Sequence, residues 1–234
     1  MRRTLPIALL ALCGTLLRAD GLADLKAALK AQPAPAKVKL KVEEESHERE
    51  SGKDSVERRT ALVEDGPGGI RVVEDSRGAA SPSARKGGSK PGAKKASGEF
   101  EEALRPAQGL LEQLEKARVL EEKAEAYEGR PARRLRLALD LELDAEARSH
   151  LKQADHEATV WIGPDGLPLA MTHRIEIKAR VMLVASVWTK VDLRRRFQTA
   201  QGRLLLLDEQ ADVQGSALGK AFSAKESTRC SLVP

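Results

Sequence analysis

The chain has 234 residues, long enough for one domain with a real core, and 41% of them are hydrophobic but only 3% aromatic. Its two cysteines exclude a disulfide-stapled scaffold. The formal charge of +5 falls by three, to +2, once Arg2, Arg3 and Arg18 are removed with a leader, which argues against a nucleic-acid binder.

Residues 1–19 begin with Arg2 and Arg3 and continue in an uncharged, mostly apolar run over 5–17, the pattern of a secretory signal too short to span a bilayer. Ala19 offers a small residue for cleavage, while Ala11 and Cys13 fit the small-x-small spacing at the expense of the apolar run. Leu10-Ala11-Leu12-Cys13 resembles a bacterial lipobox in which Cys13 would be lipidated, with Leu12 departing from the small residue it wants. Cleavage near Ala19 is the expected route. The absence of asparagine and the richness in Ala, Leu, Arg and Gly suggest a GC-rich bacterial genome, so the expected location is the periplasm or the cell exterior, with no transmembrane span in the mature chain.

From residue 20 onward a single domain, 20–234, is expected. Asp20 caps a helix over 20–32 with Leu22, Leu25 and Leu29 on one face, stopped by Pro33 and Pro35. Val38, Leu40 and Val42 alternate with lysines as a strand, and further strands over 56–64 and 70–74, joined by a glycine-rich turn, complete a three-stranded meander. Segment 77–98 carries six cations, no acid and no large apolar residue, so it reads as a flexible basic loop. A solvated linker is preferred there to a polybasic surface for anionic lipid or polymer, and with no interleaved aromatics nucleic-acid binding is not expected.

Phe100, Leu104, Ala107, Leu111 and Leu114 form one apolar stripe on a helix, which Pro106 should kink or restart. Strands follow over 119–127 and 132–143, the second with leucines at 135, 137, 139, 141 and 143 on one face. After a polar excursion, 158–162 and 167–177 flank the turn Gly163-Pro164-Asp165-Gly166. The run 181–188 is apolar on both parities and reads as a central strand covered on both sides, with a one-sided continuation to Phe197. Strands over 204–213 and 221–232 end the chain. The fold class is therefore mainly β with helices (α+β): a strongly curved antiparallel sheet or half-open barrel covered by an amphipathic helix.

No set of residues identifies a reaction: there is no nucleophile elbow, phosphate loop or Cys-x-x-Cys pair, so no enzyme, catalytic residue, cofactor or metal site is expected. His47 lies among Glu43, Glu44, Glu45, Glu48 and Glu50, where a solvated face is preferred to a cation site. His150 and His156 match no zinc spacing, His173 reads as a hydrogen-bonded core histidine, and Cys230 as an inert buried thiol.

Pro106-Ala107-Gln108-Gly109-Leu110-Leu111, opening a helix before long strands, and the strand-turn-strand from Val160 to Leu169 resemble the LolA-like superfamily of periplasmic lipoprotein carriers and envelope sensors. That resemblance implies a curved, incompletely closed antiparallel barrel, plugged by helices, that binds acyl chains on its concave face. The function expected from it is an exported, non-enzymatic protein holding a lipid or lipoprotein acyl chain between sheet and helix, with Leu111, Leu114, Leu137, Leu139, Met171, His173 and Ile175 as the ligand-binding face. The alternative is an envelope interaction module with a filled core, engaging a protein or an anionic surface through strand edges or the basic loop.

Overall fold

A computed structural model describes residues 20–33, 37–50, 52–78, 98–141, 145–181 and 185–233. The expected leader 1–19, with Cys13, and most of the basic loop, 79–97, lie outside the described residues.

Helix α1 (Gly21–Lys30) starts at Asp20, whose carboxylate accepts from the Leu22 and Ala23 N–H groups. The meander follows as β1 (Val38–Glu50), β2 (Lys53–Asp65) and β3 (Arg71–Asp75). The predicted amphipathic helix is two pieces, α2 (Glu101–Leu104) and α3 (Pro106–Leu114), broken at Arg105 with Pro106 in the first turn of the second. The break falls where proline's missing N–H is harmless.

The second meander runs β4 (Arg118–Ala124), β5 (Arg133–Ala138), α4 (Ala145–His150), β6 (Leu151–Ile162), β7 (Pro168–Val181), β8 (Ala185–Ala200), β9 (Arg203–Ala217) and β10 (Lys220–Leu232). Among the described residues these form one ten-stranded antiparallel sheet in the order β3-β2-β1-β10-β9-β8-β7-β6-β5-β4. The pairing of β10 with β1 joins the two meanders. The sheet is open, with β3 and β4 at its edges, so the class is mainly antiparallel sheet with a few helices and not a closed barrel.

Three readings change. The leucine ribbon ends at Ala138, opposite Arg118, where β4 starts; on the other side the Leu139 N–H still donates to the His156 carbonyl at 2.9 Å, Leu139 is buried outside the strand, and Leu143 lies outside the described residues. The polar stretch before residue 158 holds α4 and then more of β6, whose exposed residues 152–155 are organised by pairing with β7 rather than by burial. The doubly covered strand over 181–188 is two strand ends: Val181 of β7 pairs with Ala185 of β8, and Trp188 is 39% exposed. A continuous apolar run cannot distinguish a buried strand from a reversal.

The helices cover one face at one end of the sheet. Leu25 and Leu29 of α1, Leu104 of α2, Leu110 and Leu114 of α3, and Phe100 pack with Leu40, Val42, Val63, Leu135, Leu137, Met171, Phe197 and Leu206. Each such side chain contributes roughly 1.5–3 kcal/mol.

Two ion clusters pin this layer. Asp65, with a fully enclosed carboxylate, accepts from Arg105 at 2.6 and 3.0 Å and from Arg203 at 2.7 Å, and Arg203 also donates to the Leu104 carbonyl. Burial alone would raise the Asp65 pKa, but the two guanidiniums outweigh it and hold the carboxyl below its ordinary value. Arg59, also buried, binds Asp75, Glu99 and Glu44 and lies 4.7 Å from the centre of the Phe100 ring.

Candidate functional site: a polar trough across the sheet

Strand alternation and register separate the two faces. On the face opposite the helices, Arg136 of β5, Glu157 and Thr159 of β6, Thr172 and Arg174 of β7, Asp192 and Arg194 of β8, Gln210 and Asp212 of β9, Lys225 and Ser227 of β10, and Glu45 and His47 of β1 line one hollow of about 910 Å³. A second hollow of about 560 Å³ shares Asp212 and Lys225 with it and continues to Gln214 and Trp188. The intervening His173, Leu193, Ala211 and Glu226 also border the first hollow, and a hollow bordered from both β1 and β5 means that the sheet bends toward its polar face.

The trough has two kinds of side chain. The first is charged and paired: Arg136 with Glu157 at 3.1 Å, Arg174 with Asp192 at 3.0 Å, Lys190 with Asp192 at 2.6 Å, Lys225 with Asp212 at 3.8 Å, and Arg58 with Glu45 at 2.8 Å. Desolvation pushes the Asp192 pKa up, but Lys190 and Arg174 bring it below its ordinary value. Hydrogen bonds from Arg58 and then His47 lower Glu45 likewise. These carboxylates are held ionised.

The second kind forms a single row. Thr159 pairs with Thr172, Thr172 with Arg194, Arg194 with Gln210, and Gln210 with Ser227, so five polar side chains cross β6, β7, β8, β9 and β10 in register. Among the described residues none of the five has a side-chain hydrogen bond or an ion pair. Arg194 is at the centre of the row. Beyond Thr159, on the same face of β6, Trp161 donates to Glu125 at 3.3 Å and packs on Tyr127 with ring centres 5.2 Å apart.

The apolar face is filled under the helices. Of the seven residues expected to hold a ligand, Leu114, Leu137, Leu139, Met171 and His173 are buried in the core, and Leu111 and Ile175 are half-buried. The hollow between α3 and the sheet, walled by Pro106, Leu110, Phe197 and Leu206, is about 10 Å³, no more than one water needs. Past the helices the same face carries a half-exposed apolar band that includes Ile175, Ile177, Val191, Leu193 and Val213.

His173 lies where the covered and uncovered parts meet. It is 5% exposed, and its Nδ1 is 3.3 Å from Nε2 of His156, with its own Nε2 unpartnered. Burial first, then the charges of Arg195 and His156, push the His173 pKa down to about 3, so the ring is neutral at ordinary pH. Burial lowers His156 in the same direction. His47 is exposed beside Glu45, and among the described residues no three His, Cys, Asp or Glu side chains converge as a metal would need. Cys230 is buried, and desolvation, helped by Glu209 and Glu44, pushes its thiol up to about 12, which makes it inert.

Sequence reasoning did not find the trough row. The signal was present in β8, where Trp188, Lys190, Asp192, Arg194 and Arg196 alternate with Val187, Val191, Leu193 and Phe197.

No protein-family model and no curated protein matches the chain. Among solved structures, the crystal structure of MucB in complex with MucA(peri) aligns with 91% of this chain and 93% of that one, at 11% identity and a TM-score of 0.20. At that TM-score the likeness carries no argument about fold family, ligand or partner. Among the described residues no helix is long and apolar enough to cross a membrane.

Proposed function

We propose that this protein is an exported, non-enzymatic interaction module of the cell envelope that binds a polar partner in the trough. The observation that carries this reading is the contrast between the faces. About 10 Å³ is open between α3 and the sheet, while about 910 Å³ is open on the opposite face, lined from seven strands. The signal-like pattern of residues 1–19 supports export. A binding role is supported over a catalytic one because Glu45, Glu157, Asp192 and Asp212 in the trough are tied into ion pairs and His173 is buried and neutral.

A second reading, an acyl chain held by the protein, draws on the half-exposed apolar band at Ile175, Val191, Leu193 and Val213. Photo-crosslinking amino acids at positions 194 and 191 separate the two in the native host, since these residues of β8 face opposite sides. Adducts from position 194 alone are expected. Adducts from position 191 alone, with lipid recovered by native mass spectrometry, would replace the trough reading with the acyl-chain one.

A further inference from the structure

The row Thr159–Thr172–Arg194–Gln210–Ser227 sets the chemistry of what would fill the trough. At about 4.8 Å between strands its four steps span about 19 Å, the reach of a polymer rather than of a single small ion. Its centre is a guanidinium without an acid among the described residues, in a trough where Arg136, Arg174 and Lys225 each have one. Two hydroxyls, Thr172 and Thr159, flank it on one side, and the Gln210 amide and the Ser227 hydroxyl on the other. The complementary ligand places an anionic oxygen at Arg194 and neutral hydroxyl groups to either side.

We propose that the trough binds a polysaccharide carrying carboxylates, laid across β6 to β10 with one carboxylate on Arg194. This rests on the trough being the binding surface. An extended peptide fits less well, because its own N–H and C=O groups need a free strand edge. The row lies inside the sheet, where the main-chain groups of β7, β8 and β9 are already used in ladders on both sides, and the open edges β3 and β4 lie outside it. A glycan makes its polar contacts through hydroxyls and carboxylates, which side chains alone satisfy.

The test is titration calorimetry of the chain from residue 20 onward with oligogalacturonate, with an uncharged glucose oligomer and with a poly-glutamate peptide of similar length. Oligogalacturonate is expected to bind, more weakly as salt rises. Arg194→Gln should weaken it at least tenfold and Thr172→Val several-fold, while Val191→Thr on the other face leaves it unchanged. Denaturation curves for each variant establish that it is folded. Absence of oligogalacturonate binding, or an Arg194→Gln variant that binds as well as the parent, overturns the proposal. Poly-glutamate binding in its place would overturn the glycan and keep the trough. Silence toward all three, together with no crosslink from position 194, removes both.

Discussion

Acid should destabilise this protein well above the range where carboxylates titrate, because of His173. Its pKa is pushed down to about 3 in the fold from an ordinary value of 6.5, chiefly by burial. As pH falls below 6.5 the unfolded chain takes up a proton at this position and the folded chain does not, so stability is lost on going down, until the folded ring titrates near pH 3. Integrating that difference from pH 8 to pH 5 gives a loss of about 2 kcal/mol, a substantial share of the roughly 5–15 kcal/mol that holds a domain together. His156, shifted in the same direction, adds to it. Urea denaturation at pH 8, 7, 6 and 5 measures the slope, and His173→Met, an apolar replacement beside Met171 and Ile175, should make it shallower by about one proton. A variant as pH-dependent as the parent over this window would refute the reasoning, because it would mean that the folded ring also takes up a proton.

The Asp65 cluster gives a second expectation: Asp65→Ala leaves Arg203 buried without its carboxylate, and urea denaturation should show a loss of about 3–5 kcal/mol. Because the Asp65 pKa is lowered in the fold, this contribution is present above its ordinary value and lost as pH falls below about 4, so parent and variant should converge in acid. Gly215→Ala should cost about 1–3 kcal/mol, since a methyl group there meets the Phe222 ring and lies 2.7 Å from the Trp188 carbonyl oxygen; a melting temperature equal to the parent's would contradict that packing. The Cys230 thiol should react with a disulfide reagent only at the rate of unfolding, and rapid labelling in native buffer would contradict its burial.

What the sequence made legible was local. The caps, the stripes and the first meander followed from Asp20, Pro106 and the alternation of Val38, Leu40 and Val42, each decided within a few residues. The start of β6 was hidden because residues 152–155 are exposed on both faces, and only the ladder to β7 makes them a strand. The direction of curvature was hidden more deeply. Alternation shows that a strand has an apolar and a polar face, but which face becomes hollow depends on the summed twist of many strands. The expected ligand residues were placed on an apolar hollow; Leu114, Leu137, Leu139 and Met171 instead fill the core under the helices, Ile175 lies in the half-exposed band past them, and the larger open space is on the other face.

One residue decides how β9 serves both faces. Leu206, Gln210 and Asp212 are all even-numbered, and strict alternation would put them on one side. Leu206 nevertheless walls the space beneath α3, while Gln210 and Asp212 line the trough. The register supplies the reason: Phe197 pairs with Leu206 and Arg196 with Asp208, so Leu207 is an extra residue without a partner, and the alternation changes sense there. Deleting Leu207 would force a choice between Leu206 in water and Gln210 in the core. Exposing Leu206 alone costs about 1.5–3 kcal/mol, whereas Leu207→Ala, which keeps the extra residue and trims a half-buried side chain, should cost about 1 kcal/mol or less. Chemical denaturation of the two variants side by side tests the assignment, and a deletion no more damaging than the alanine substitution would show that β9 does not need its bulge to divide core from trough.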